Sequence, residues 1–342
     1  MNPISPKTPA RVVYSTLAAE TIAQTVEAAY PLGPMGGVAA WSLIRRGFND
    51  VYELQLGDGR RCVARLSGLR RRGDANIDYE TALLLHLKAA GARVAAPWHT
   101  SDGATCIALL TTEGERTLAV FDFLDGEPPG DNLVDVQATG LGLARLHAAA
   151  QDYRGPASRY ALELPHLLQR SLAALLPLPT LDDALRAQFT GLADRVAARI
   201  GDMPGLQRVH CHGDVHGGNN VMADGPDGTR LASFFDFDDG GPGFLAYDLS
   251  VYLWNMLLVT PFADIGTNAR WKHFLKGYLQ GREIPETDFQ AIAPFAIVRQ
   301  FWLMGEFADR VDQWGTQSMP RAWLVRQAAA MESWESLVTP GG

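Results

Sequence analysis

The stretch 210-HCHGDVHGGNNV-221 sets three histidines, a cysteine, an aspartate and two asparagines within eleven residues, and its three glycines let the backbone bend. Packing alone rarely needs such a density of coordinating side chains. Either these residues hold a transition metal, or a few of them carry proton-transfer and cation-binding chemistry while the rest support the loop. The residues just downstream bear on the choice. Residues 220-NVMA-223 and 229-TRLASFFDF-237 flank Asp224-Gly225 and Asp227-Gly228 and read as a β-hairpin. The hairpin runs into a second acidic stretch, 234-FFDFDDGG-241.

Further on, apolar residues recur at three- and four-residue intervals through 247–259 and 287–338, and the same helical period marks 135–151 and 181–200 upstream. The chain before residue 125 has a different pattern. After a helix over Leu17 to Ala29, 51-VYELQL-56 and 60-RRCVARL-66 flank Gly57-Asp58-Gly59, a strong hairpin signal. The segment 76-NIDYETALLLHLKAAG-91 begins with polar capping residues and ends at Gly91, which predicts a helix. Two more strands are predicted in 104-ATCIALL-110 and 117-TLAVFDF-123, and the Gly- and Pro-rich 125-DGEPPGDN-132 reads as a connector. The expected architecture is α+β and two-lobed. Residues 1–124 form a small antiparallel β-rich lobe with one key helix, and 125–342 form a larger, mainly helical lobe.

With 342 residues, 47% of them hydrophobic and 20% charged, the chain has enough material for two globular cores. A net charge of −8 argues against nucleic acid as a partner, because phosphate backbones attract basic faces. The three cysteines lack framework spacing, so a reducing compartment is expected. The polar start MNPISPKTPA is unlike a signal peptide, and no run approaches the roughly 18 apolar residues of a membrane span. A cytoplasmic protein without a membrane partner is the expectation.

Two chemistries compete for the opening stretch. His210, His212 and Asp214 match the start of the H-x-H-x-D-H signature of metallo-β-lactamase-like hydrolases, but Val215 stands where the next ligand belongs and His216 comes one place late. The helical pattern after residue 245 also leaves little room for that sandwich fold. The alternative uses His212-Gly213-Asp214, four residues, then Asn219, which has the spacing of the kinase catalytic loop H-R-D-x-x-x-x-N. There an aspartate accepts the proton of the attacking hydroxyl, and hard oxygen ligands hold magnesium against nucleotide phosphates. Asp236, at the end of the following hairpin, is placed to be the second such ligand.

His212-Gly213-Asp214-Val215-His216 with Gly218-Asn219, then Phe235-Asp236-Phe237-Asp238 and 247-YDLS-250, resembles the aminoglycoside phosphotransferase and choline kinase family. That family includes type II homoserine kinases and the bacterial stress-response kinase. The resemblance runs from about Leu43 to the C-terminal helices. It implies a protein-kinase-like fold with ATP and Mg²⁺ as cofactors. It also implies Asp214 as catalytic base and Asn219 and Asp236 as magnesium ligands. His212 would hold the loop from within, and Asp248 would be a supporting structural acid.

The first lobe offers partners for a nucleotide. The segment 46-RGFNDVY-52 carries one glycine rather than three. It reads as a loop over phosphates, through Gly47, Phe48 and Asn49, or as an ordinary hairpin turn. Glu80 interrupts the apolar face of Ile77, Leu84 and Leu87, and an unpaired carboxylate there costs roughly several kcal/mol. Its natural partner is Arg65 in 63-VARL-66, where the kinase pattern expects lysine. His147 in 144-ARLHAAA-150 reads as a packing histidine.

For the acceptor, 298-VRQFWLMGEFADRVDQW-314 is predicted helical, with Phe301, Trp302, Phe307, Val311 and Trp314 as core candidates. Glu306 and Asp309 beside Trp302 either suit an amine-bearing alcohol or form a solvated face. The favoured activity is transfer of the terminal phosphate of ATP to a hydroxyl of a small molecule such as an amino alcohol, a sugar or an aminoglycoside. A protein Ser/Thr kinase, a nucleotide-binding pseudokinase and, remotely, the metallohydrolase are the alternatives.

Overall fold

The computed structural model describes residues 10–34, 36–73, 75–260 and 265–337. The chain divides into two compact units, Met1–Ala75 with Trp98–Asp122, and Asn76–Pro97 with Phe123–Gly342.

The first unit pairs a helix, α1 (Ala19–Ala29), with five strands: β1 (Val38–Arg46), β2 (Asn49–Leu56), β3 (Arg61–Ser67), β4 (Ile107–Thr111) and β5 (Gly114–Asp122). They form one antiparallel sheet in the order β1-β2-β3-β5-β4. The two-residue period of a strand puts Tyr52, Leu54 and Leu56 of β2 on the same face as Cys62, Ala64 and Leu66 of β3. These pack with Leu118 and Val120 of β5 and with Ile22, Ala23 and Val26 of α1 in one core. The strand β1 is exposed along nearly its whole length, so its apolar residues carry no alternation that marks it as a strand.

Next to the β1–β2 turn lies a buried ion pair, Arg116 Nη2 to Asp50 Oδ2 at 2.9 Å, with both side chains inaccessible. Arg116 also donates to the carbonyls of Ser67 and Ser15, each at 2.8 Å, to that of Leu66 at 3.2 Å and to Glu113 Oε1 at 3.4 Å, so all five of its N–H groups meet protein acceptors. The pair anchors β2 immediately after Asn49, whose own Oδ1 accepts the Gly68 N–H at 3.1 Å. The β1–β2 turn is therefore braced where it enters β2.

The second unit begins with α2 (Ile77–Ala89) and continues through α3 (Leu133–Ala149), a π-helical turn (Pro165–Gln169) running into α4 (Arg170–Leu175), and α5 (Asp183–Gly201). Four short strands follow, β6 (Arg208–Cys211), β7 (Asn220–Asp224), β8 (Arg230–Phe234) and β9 (Gly241–Phe244). The rest is helical: α6 (Leu245–Val259), α7 (Ala269–Leu279), α8 (Glu286–Ala308), α9 (Val311–Trp314) and α10 (Arg321–Trp334).

The sequence division at residue 124 kept 76–97 with the first lobe, whereas by contacts this segment clusters with the second unit. The Ala95 N–H donates to the Phe234 carbonyl at 3.0 Å, and the Tyr79 hydroxyl meets His210. The predicted hairpin is present as β7–β8, with Asn220 opposite Phe234. A second pair, β6–β9, sets His210 opposite Pro242. The helical period over 287–338 is broken into three helices, and Trp314, read as core, is 43% exposed at the end of the short α9.

Glycine decides one contact in this unit. A side-chain carbon on Gly140 of α3 would stand 2.0 Å from the Phe274 carbonyl, and one on Gly277 of α7 would stand 1.9 Å from the Gln137 carbonyl. The two helices meet backbone to backbone because neither position carries a side chain. Among the described residues no helix is long and apolar enough to cross a membrane.

Candidate active site

The loop after β6 is held by one buried acid. Asp248, in the first turn of α6, is inaccessible to solvent. It accepts the His212 N–H on Oδ2 at 2.9 Å and the Gly213 N–H on Oδ1 at 2.7 Å. His147 Nε2 lies 2.8 Å from Oδ2, and its Nδ1 lies 2.7 Å from the Tyr278 hydroxyl. An ionised carboxylate only accepts, so His147 donates to it from Nε2. Burial by itself would push the Asp248 carboxyl up. The bond and charge of His147 and the backbone donors outweigh it, leaving the group below the usual carboxylate range.

The sign of that shift sets how stability depends on pH. A depressed native pKa stabilises the fold above the usual aspartate value and loses that contribution as pH falls through the native one. His147→Ala should cost about 3 kcal/mol at neutral pH, because it leaves a buried carboxylate short of a donor. The gap between parent and variant should narrow below about pH 4, the ordinary aspartate range. Thermal melts across pH check this, and a gap that widens on acidification contradicts it.

Gly213 has φ +83, and a side-chain carbon there would meet the Asp239 carbonyl at 2.2 Å, so only glycine fits. His212 is 1% exposed. Its Nδ1 accepts the Asp214 N–H at 3.2 Å and its Nε2 faces the Phe235 carbonyl at 3.1 Å. Those partners require the neutral Nε2–H tautomer, in keeping with the downward push that burial gives its pKa. His210 Nδ1 is 2.7 Å from the Tyr79 hydroxyl, and burial lowers its pKa too. His216 Nδ1 accepts the Gly218 N–H at 3.0 Å. The histidines of the opening stretch are thus engaged by the protein. Among the described residues no three His, Cys, Asp or Glu side chains are grouped to hold a metal.

Asp214 and Asn219 face each other. Asn219 Nδ2 donates to the Asp214 carbonyl at 2.9 Å and to Asp214 Oδ2 at 2.8 Å, so both amide protons are spent. The amide is fixed, and Asn219 Oδ1 accepts no hydrogen bond from the described residues although Asn219 is only 2% exposed. A buried acceptor left in this state is uncommon and fits a hard cation.

Asp214 Oδ1 bonds Arg299 Nη2, and His216 Nε2 lies 3.4 Å from Oδ2. Burial pushes the Asp214 carboxyl up, but the Arg299 charge and the His216 contact push harder the other way and hold it well below the usual range. It is ionised at neutral pH.

The hairpin register then brings the second acid close. The Phe235 N–H donates to the Asn219 carbonyl at 3.1 Å, so Asp236 is one residue beyond the partner of Asn219. Asp236 has φ 63 and is the one non-glycine with positive φ among the described residues. A strained backbone of this kind persists where the surroundings impose it, often at functional sites.

The other residues singled out from sequence take these places. Arg65, on β3, is 5% exposed with its guanidinium 4.9 Å from the Phe121 ring centre. Gly47 and Phe48 form the β1–β2 turn and Asn49 opens β2, with Phe48 under the Arg70 guanidinium at 4.6 Å. In the second unit Glu80 is 2% exposed on α2, and Trp302 is 1% exposed on α8. The acidic face of α8 differs from its sequence reading. Glu306 is buried, and with Asp309 it holds Arg170 of α4 at 2.5 and 2.8 Å, so this face is not solvated and already carries a cation.

Residues 41–295, more than half of the chain, match the phosphotransferase enzyme family abbreviated APH. The chain belongs to that family. As an APH member it is a kinase-type, ATP-binding transferase. It is 34% identical over 324 residues to an uncharacterized protein of Deinococcus radiodurans, spanning 94% of this chain and 92% of the other. A homoserine kinase of Rhodopseudomonas palustris is 29% identical, covering 78% and 77% of the two chains. Stress response kinase A of Salmonella choleraesuis is 27% identical, covering 81% and 79%.

Among solved structures, an amicoumacin kinase in complex with AMP-PNP and Ca²⁺ superposes with a TM-score of 0.73, at 22% identity and over 94% of this chain and 95% of the other. A spectinomycin phosphotransferase in complex with ADP and spectinomycin gives a TM-score of 0.58, at 13% identity and over 93% and 94%. These structures establish the kinase-like fold of this APH protein. Arg299 and Arg170 were missed in the sequence, though each is a charge set in an otherwise apolar stretch, the same signal that singled out Glu80.

Proposed function

We propose that the protein transfers the terminal phosphoryl group of ATP to a hydroxyl of a small molecule, with Asp214 as the base. The observation that carries this reading is the Asp214–Asn219 pair. One carboxylate is kept ionised, and beside it a fixed amide keeps its buried oxygen open. Asp236, in its strained conformation one residue across the hairpin, completes a set of oxygen donors suited to Mg²⁺. When bound, Mg²⁺ would supply positive charge against the nucleotide phosphates. Asn219 Oδ1 and the Asp236 carboxylate would hold it. The chain's own part is to orient the acceptor hydroxyl on Asp214, take its proton there, and keep Asp214 in place through His212, Gly213 and Asp248.

For the nucleotide we assign Gly47, Phe48 and Asn49 to the loop over the phosphates, Arg65 to the cation that grips them, and Glu80 to the supporting carboxylate of the nucleotide site. Arg65→Ala should raise the KM for MgATP about tenfold or more, while Arg65→Lys keeps a substantial part of the parent's affinity, since a lysine serves as a point charge on phosphate. Steady-state kinetics on both variants decide this, and unchanged KM values in both would remove Arg65 from the nucleotide site.

A small-molecule acceptor is supported by three of the relatives above, the homoserine kinase, the amicoumacin kinase and the spectinomycin phosphotransferase. Because Arg170 already occupies Glu306 and Asp309, we do not assign those carboxylates to an amine on the acceptor. An ADP-release screen against pooled amino alcohols, hydroxy amino acids, sugars, aminoglycosides and casein tests the reading. Mg²⁺-dependent ADP release with one small-molecule pool is expected. Turnover with casein alone would transfer the reading to a protein kinase.

A further inference from the structure

We propose that Arg299 is a positioning residue for this reaction, fixing the rotamer of Asp214 by holding Oδ1 while Asn219 holds Oδ2. The inference rests on the phosphotransferase reading above. Arg299 lies on α8, far along the chain from the loop, and is 2% exposed. Its guanidinium is set against two indoles, 4.1 Å from the Trp302 ring centre and 4.9 Å from that of Trp254. Nη1 donates to the Gly213 carbonyl at 3.2 Å and to the Tyr247 hydroxyl at 3.4 Å, and Nη2 donates to Asp214. One planar group therefore grips both the backbone before Asp214 and the carboxylate itself.

The chemistry explains why an arginine stands here. A desolvated cation is tolerated only when paired, and the two aromatic faces replace part of its lost hydration. The rigid fork spans the Gly213 carbonyl and the carboxylate together, whereas lysine offers one compact ammonium. The transition state of phosphoryl transfer is loose, so the enzyme's contribution is mainly position and charge. A carboxylate free to rotate by one well would misplace the acceptor oxygen, and a displacement near 1 Å costs on the order of 10² in rate. His216 touches the same carboxylate, but from the Oδ2 side, so Oδ1 depends on Arg299.

A purely structural ion pair would also be buried here, so the test must separate the two roles. Arg299→Met and Arg299→Lys are measured in the parent and in an Asp214→Asn background, by steady-state kinetics with MgATP and by thermal unfolding. Arg299→Met should lower kcat by about 10- to 100-fold with the KM for MgATP within about twofold of the parent. Arg299→Lys should recover part of the loss. In the Asp214→Asn background neither change should lower kcat further, because Arg299 acts through the missing carboxylate.

Equal kcat losses in both backgrounds, or no loss in the parent, would overturn the proposal and leave the phosphotransferase reading standing. A parent inactive on every acceptor, with melting shifts that are non-additive, would overturn that reading and keep Arg299 and Asp214 as one unit. If Arg299→Met does not fold, the lysine variant in the two backgrounds gives the same comparison.

Discussion

Asp214→Asn should bind MgATP about as tightly as the parent and turn it over on the order of 10²-fold or more slowly. Asparagine keeps the size and polarity of the side chain but cannot accept the proton that leaves the acceptor hydroxyl. The hydroxyl must lie within about 2.6–3.2 Å of the base for that transfer. The substitution also leaves the Arg299 guanidinium buried without its counter-charge, which costs roughly 3–5 kcal/mol of stability. Melting curves therefore accompany the kinetics, so that a folded, nucleotide-binding, inactive protein is distinguished from an unfolded one. Turnover unchanged from the parent would remove Asp214 as the base. Loss of ATP affinity in a folded variant would show that it serves binding instead.

The second large effect is expected at Asp236. Asp236→Ala should abolish the Mg²⁺-dependent part of the thermal stabilisation that ATP gives, while any metal-independent part survives. A ligand that binds only the native state raises the melting temperature in proportion to the logarithm of its concentration over Kd. A carboxylate that brings the cation to the phosphates is therefore read directly from melts with ATP, with and without Mg²⁺. Alanine is no better suited than aspartate to the φ of 63 at this position, so the apo variant should melt no higher than the parent, and each MgATP shift is measured from the variant's own apo melt. An identical MgATP shift in variant and parent contradicts the assignment.

Much of this fold was readable from residue patterns, and where it was not the physical reasons are specific. The β2–β3 hairpin announced itself through Gly57-Asp58-Gly59 between alternating strands, and α2 through its polar start and Gly91. The β6–β9 pair was hidden because its strands are four residues long and one of them is 241-GPGF-244, with no β-forming pattern. The placement of 76–97 was hidden as well, since it depends on backbone bonds to Phe234 that lie far away in sequence.

At the site, the order His212, Asp214, Asn219, Asp236 and Asp248 carried the reading, because each role lies within one loop, one hairpin and one helix start. Arg299 escaped because its partner is 85 residues away and helical periodicity treats a buried arginine as a misplaced surface residue. The acidic face of α8 misled for the same reason: Arg170, which fills it, comes from α4.

In the proposed reaction a phosphoryl group passes from ATP to an alcohol on this chain. Phosphorus NMR of the parent with MgATP and the responsive acceptor pool measures it directly. The γ-phosphate resonance should decay while ADP and one phosphomonoester resonance grow in equal amounts, and Asp214→Asn should slow all three together. A γ-phosphate that persists with every pool, or that is converted only to inorganic phosphate, would contradict it.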